Sequence, residues 1–325
     1  MNRIELYDPK HADFSIFEHT QVNGVQEAVA KEHLEVGLIV WRDDIPLAKA
    51  ALYMNSDLRY ESFSPVAVGA YQAEHDPDAV RLLFSEIENI ARQHNKDYLI
   101  GPMNGSTWEN YRFHDEADLS VFFMEMKHPN YYPQQWCDVG FQPIAGYYSA
   151  IAPVVPIHHE KIEALRNRLQ GDGVIIRNID MVHYEADLKK LYPFLHESFK
   201  QNFLYTPISE SSFLAKYRPL ASVLKPEWEQ VAIHDKEIVG VLLGVEDIFN
   251  TENKTLIIKT LARNPERAYK GLGLLLVDDF YRRALSAGYK QVIFAFMIDE
   301  GDATPLSDLY HGHTLKRYTL YGKAI

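Results

Sequence analysis

Two glycines, Gly271 and Gly273, close the run Asn264-Pro265-Glu266-Arg267-Ala268-Tyr269-Lys270-Gly271-Leu272-Gly273, and Arg263, Arg267 and Lys270 bring positive charge beside them. Glycines at the entrance to a helix let backbone N–H groups approach a bulky anion, and the positive end of the helix dipole attracts it. The chemistry such a turn offers is phosphate binding. The phosphate loop of nucleotide hydrolases places lysine directly after its last glycine, whereas Leu274 follows Gly273 here. A dinucleotide fingerprint fits poorly too. Nine residues separate Leu261 from Gly271, and position 276, where a third glycine would stand, is leucine.

The flanking residues supply the elements that must position this turn. Residues 255–262 are β-branched and apolar, as a largely buried strand requires. Residues 271–287 place Leu276, Val277, Phe280, Ala284 and Leu285 on one helical stripe, with Arg282 and Arg283 off it and Gly288 as a left-handed stop. A second strand, 291–297, follows at once. In order and length these elements resemble the GNAT superfamily of CoA-dependent N-acyltransferases, with Pro265, Gly271 and Gly273 in register with its Pro-containing loop and [QR]-x-x-G-x-[GA] turn. Ala268 stands where that family has Gln or Arg, and Tyr269 where a glycine is common; Arg267 lies one residue early. The resemblance implies that Leu261, Arg263, Arg267, Tyr269, Lys270, Gly271, Leu272 and Gly273 hold acetyl-CoA or another acyl-CoA. It also implies that the 255–262 strand splays from its neighbour so that its backbone can pair with pantetheine.

Acylating an amine requires a neutral nucleophile and a proton for the departing thiolate. A lysine-like amine lies roughly three pKa units above neutral pH, so its deprotonation costs about 4 kcal/mol, whereas an α-amine costs well under ~1 kcal/mol. The first needs a base or a desolvating site. The resemblance places Tyr310, in the last predicted helix, where the family carries a general acid, although the family's asparagine is absent near Ala303 and Thr304 and Gly312-His313 replaces Gly-Phe. Glu246 and Asp247, at the end of a predicted strand, are the candidate bases by position. Lys259 is a charge inside an apolar strand and could meet a substrate carboxylate or extend to an edge. Asn104 and Trp108, in the polar and aromatic run 101–108 after a predicted strand, are candidates for acceptor binding. His158-His159 and His311-Gly312-His313 lack carboxylate or cysteine partners at metal-ligand spacing.

The first half repeats the order of elements without the glycine turn. Strands 34–41, 46–54 and 66–71 precede a helix opened by Asp76-Pro77, whose stripe is Ala79, Val80, Leu83, Ile87, Ile90 and Ala91, and a short strand 97–100 follows. Its loop, Gln72-Ala73-Glu74-His75-Asp76, carries carboxylates that satisfy the helix dipole and repel a pyrophosphate, each effect worth about 0.3–1 kcal/mol. Residues 131–141 resemble the aromatic helix and Gly-Phe ending of GNAT domains. Prolines 153 and 156 mark an extended linker, and a second domain begins with strand 174–177 and a hairpin of 230–233 with 238–243.

With 325 residues, ample apolar content and a single cysteine, Cys137, the chain has room for two cores and no intrachain disulfide. A net charge of −12 argues against a nucleic-acid partner, and no apolar run approaches the ~20 residues of a membrane span. A cytoplasmic location is expected, with oligomeric state open. The expected fold is α/β (α+β with a mixed, mostly antiparallel sheet), in two tandem GNAT-like domains: a degenerate one over 1–152 that shapes the acceptor site, and an acyl-CoA-binding one over 153–325. The expected function is transfer of an acyl group, acetyl in the simplest case, to an amine of a small molecule or peptide. The alternative is a non-catalytic acyl-CoA-binding protein.

Overall fold

A computed structural model describes residues 2–10, 28–115, 120–156, 160–299 and 304–325. The first half comprises β1 (Asn2–Tyr7), α1 (Ala28–His33), β2 (Leu34–Arg42), β3 (Ile45–Tyr53), β4 (Pro65–Ala73), α2 (Pro77–Gln93), β5 (Tyr98–Gly101), β6 (Phe113–His114), α3 (Tyr132–Asp138) and β7 (Gln142–Pro153). The second comprises α4 (Glu160–Gly171), β8 (Ile175–Asn178), α5 (Tyr184–Phe199), α6 (Glu210–Tyr217), β9 (Glu229–His234), β10 (Glu237–Glu246), β11 (Thr255–Arg263), α7 (Leu272–Ser286), β12 (Gln291–Ile298), α8 (Thr304–Leu309) and β13 (His313–Ala324). His158, His159 and Ala303 lie outside the described residues.

Local chemistry explains the elements. The β2–β3 hairpin turns through Asp43 and Asp44 and the β9–β10 hairpin through Asp235 and Lys236, all with positive φ, the conformation that matches the strands' twist. Asp76 caps α2 by accepting the Ala79 N–H at 2.9 Å, Pro77 fixes the first helical φ, and Ala79, Val80, Leu83, Phe84 and Ile87 are buried against the sheet. At the corresponding point of the second half Gly271, at φ 91°, opens α7 with no side-chain cap.

The described residues form one mixed sheet in the order β1-β2-β3-β4-β5-β13-β7-β12-β11-β10-β9-β8, with β6 on β13. Read inward from either edge, the order is the same: four strands in antiparallel succession, a fifth parallel to the fourth, then a long antiparallel strand. That long strand is exchanged. β7, from the first half, pairs with β12, while β13, from the second, pairs with β5, and β7 and β13 pair with each other at the centre. The sequence position 152/153 thus falls at the end of a strand that completes the second half's sheet.

Each parallel pair is joined at its base. β11 and β12 are paired at Thr255–Gln291 through Ile258–Phe294, where the ladder ends, and β4 and β5 at Pro65–Tyr98 through Ala67–Ile100, beyond which the Met103 N–H still bonds the Val68 carbonyl at 2.8 Å. In the second half α4 and α7 cover one face, where Leu272, Leu275, Leu276 and Phe280 pack with Leu242, Leu256 and Val292. Helices α5 and α6 cover the other, through Leu188, Leu191, Leu195 and Phe213.

Candidate active site

The turn before α7 is built for an anion. Arg267–Tyr269 makes one 3-10 turn, and the first-turn N–H groups of α7 have neither a capping side chain nor a nearby acidic residue. A Cβ at Gly271 would stand 2.8 Å from Leu165 of α4, so the position needs glycine both for its left-handed φ and for space. Arg168 of α4 braces the turn, donating to the carbonyls of Ala268 at 2.9 Å and Lys270 at 2.7 Å. Tyr269 bonds through its hydroxyl to His234 at 2.8 Å. Arg263, Arg267 and Lys270 are exposed around it, while Leu272 and Gly273 are buried at the helix start. The equivalent end of α2 is blocked: Asp76 occupies it and pairs with Arg42 at 2.7 Å.

From this turn the chain leads back to the fork between β11 and β12. Lys259, the first residue of β11 beyond the paired region, sits with its Nζ 4.1 Å from the centre of the Phe296 ring. A register shift between Leu243 and Gly244 lets Lys259 and Thr260 both border one cavity of about 220 Å³. This cavity lies under α5 and α6 and is walled mainly by apolar side chains, among them Leu188, Leu191, Phe213, Leu224 and Leu243. Trp108 closes it from the first half, held by a bond from its Nε1 to the Thr206 carbonyl at 3.0 Å. Burial, then the like charges of Arg112 and Lys216, holds the Lys259 ammonium pKa far below 10.5.

Of the carboxyls that line this cavity, Glu109, Glu229 and Glu246, the one without an ion-pair partner among the described residues is Glu229. It is 2 % exposed, its Oε1 has no partner among the described residues, and burial pushes its pKa well above the ordinary carboxylate value. Glu229 is register-paired with Leu243, which is paired with Thr260, so the three share one sheet face. At about 4.8 Å between neighbouring strands, Glu229 and Thr260 lie roughly 10 Å apart across the floor.

The other expected site residues fall elsewhere or are engaged. Glu246 borders the cavity, but Lys225 pairs with it at 2.6 Å and the Tyr289 hydroxyl donates to the same oxygen. Burial pushes its pKa up, and those bonds more than offset this, leaving it low. Asp247 accepts from the Phe123 N–H at 2.9 Å. Asn104 is buried and accepts from the Ala70 N–H at 2.8 Å, satisfying the bulge in β4 rather than lining the cavity. Tyr310 lies in the second half's core. It is completely buried on the α7 side of the sheet, its ring 4.1 Å from that of Tyr281, and its hydroxyl has no partner among the described residues. Its ring also lies 6.4 Å from that of Phe294, the last paired residue of β12, so Tyr310 packs beside the base of the fork.

No protein-family model matches the chain. Bacterial ceramide synthase from Caulobacter vibrioides is 26% identical over 184 residues, covering 54% of this chain and 45% of that protein. A tandem GNAT protein from the clavulanic acid biosynthesis pathway superposes over 100% of this chain and 98% of its own with a TM-score of 0.58 at 9% identity. A probable N-acyltransferase from Enterococcus faecalis V583 matches 100% of this chain and 73% of its own, also at 0.58 and 10% identity. The glucosamine N-acetyltransferase region of a fungal multi-domain GH3 β-N-acetylglucosaminidase gives 0.58 at 12% identity over 99% of this chain and 38% of that one. The chain therefore spans less than half the length of the curated relative and of the fungal protein. Its fold is that of the GCN5-related N-acetyltransferases, in tandem. No described helix is long and apolar enough to cross a membrane.

Proposed function

We propose that the chain is an acyl-CoA-dependent N-acyltransferase that passes an acyl group directly from the thioester to an amine. The observation that carries this reading is the succession of an uncapped glycine turn, a strand fork and an apolar cavity along β11, the fork lying between the α7 face and the α5–α6 face. The first-turn amides of α7 and the cations Arg263, Arg267 and Lys270 would take the pyrophosphate. Unpaired backbone of Lys259–Leu261 would receive the pantetheine, which brings the thioester to the cavity mouth. Acetyl-CoA or another acyl-CoA serves as donor.

On this reading the cavity admits the acceptor. Its apolar walls favour an amine attached to an apolar body, and the likeness to a ceramide synthase, a ceramide being the fatty amide of a long-chain amine, supports the same chemical character. Glu229 is placed to take the ammonium proton, and its elevated pKa brings its proton affinity closer to that of an amine. A reading as a non-catalytic acyl-CoA binder gains from the engagement of Glu246 and the burial of Tyr310. Thiol release from acyl-CoAs of increasing chain length, measured against a panel of apolar amines, separates the two. Release above the amine-free rate supports transfer, and CoA binding without release under every pairing would leave a sensor.

A further inference from the structure

Beside the fork lies a second, smaller cavity of about 30 Å³, and it shares the lining residues Glu109, Asn110, Met124 and Lys259 with the larger one. Its opposite wall is Arg112, which reaches in from the first half. Arg112 is 6 % exposed, and its guanidinium is stacked among Tyr111, Tyr147 and Phe296 at 3.9, 4.5 and 4.4 Å from the ring centres. Nη1 has no hydrogen-bond partner among the described residues. The carboxylates nearby are already committed: Glu109 to Lys216 at 2.5 Å, and Glu125 to Lys316 at 2.9 Å and to the Tyr318 hydroxyl at 2.7 Å. Arg112 is therefore a buried cation whose Nη1 faces the pocket without a partner among the described residues, and Lys259, neutral while the pocket is empty, lines the same pocket and can take up a proton beside an entering anion. Arginine cannot shed its proton, so an unpaired buried guanidinium is a standing cost that an anion removes.

We infer that the acceptor is a zwitterion, an α-amino acid with an apolar side chain, whose carboxylate is held between Arg112 and Lys259. This rests on the N-acyltransferase reading. The small cavity has room for a carboxylate, since a single water needs about 10–15 Å³ of such space. In an α-amino acid the amine is two bonds from the carboxyl carbon, so a carboxylate in this pocket leaves the amine at the fork, beside the thioester. The side chain then enters the 220 Å³ cavity under α5 and α6. The first half thereby supplies the group that recognises the acceptor, across the strand exchange.

The test compares L-phenylalanine with 2-phenylethylamine, which differ only by the carboxylate. Calorimetric binding of each to the full chain, without CoA, should favour L-phenylalanine by about 10- to 100-fold, the usual worth of a hydrogen bond to a charged group. Arg112→Gln should abolish that preference, and Arg112→Lys should retain part of it, with the melting temperature of each variant confirming a folded chain. Lys259→Met should lower the preference independently. Equal binding of the two compounds by the wild type, or a preference untouched by Arg112→Gln and Lys259→Met, would overturn the assignment. Thiol release is read separately. If Arg112→Gln slows turnover equally with both amines, Arg112 serves the thioester carbonyl and the carboxylate assignment fails. If L-phenylalanine binds through Arg112 yet no amine releases thiol, it is the transferase reading that fails.

Discussion

Replacing Lys259 with methionine gives a stability change whose pH dependence can be worked out from the structure. The side chain keeps its length and loses its amine. In the unfolded chain the lysine is protonated below its ordinary pKa of 10.5, whereas in the native chain burial and the charges of Arg112 and Lys216 keep it neutral to a much lower pH. Native stability from this group is therefore present above 10.5 and is lost as pH falls towards the native value. Between those limits each pH unit costs the native state about 1.4 kcal/mol. Lys259→Met carries no such cost. Its stability relative to the wild type should rise between a pH near 10.5 and a lower pH at which the native lysine is still neutral, while groups shared by both proteins cancel in the difference. Urea denaturation at the two pH values measures it. A difference that stays flat would show that Lys259 is protonated in the native chain and that a counter-charge holds it, which would refute the reasoning about this pocket.

Three further outcomes follow from the geometry. Glu229→Gln should lower turnover by about 10²–10⁴-fold and remove the rise of kcat/KM with pH; near-normal turnover would exclude Glu229 as the base. The same variant should be more stable than the wild type above the native pKa of Glu229, because a raised carboxyl pKa stabilises the fold only at lower pH. Tyr310→Phe should lower turnover by about 10²–10⁴-fold if the unpartnered hydroxyl beside Phe294 protonates the thiolate, and near-normal turnover in a folded variant would leave Tyr310 a core aromatic. Chains cut after Pro153 should fail to fold singly and recover when co-expressed, because each half's last strand completes the other's sheet; a cooperative melt from either half alone would contradict this.

Much of each half was legible because local signals agree with one another. Period-two strands, the Asp76-Pro77 helix start and the Gly271 turn each fix structure within a few residues. The strand exchange was not legible. Neither β7 nor β13 figures among the strands read from the sequence, and which edge a strand joins depends on partners more than a hundred residues away. Lys259 stood out as a charge in an apolar strand. Glu229 and Arg112 gave no signal: a glutamate at a strand start is ordinarily solvated, and only the cover of α5, α6 and the 101–114 segment buries them.

The central claim is that CoA lies on the turn before α7 and on the fork it serves. Amide hydrogen exchange of the full chain, with and without CoA, tests it without altering a residue. Protection gained at residues 259–263 and 268–275, with residues 74–80 unchanged, is the predicted result. Protection at 74–80 instead, or none at either turn under saturating CoA, would contradict the account.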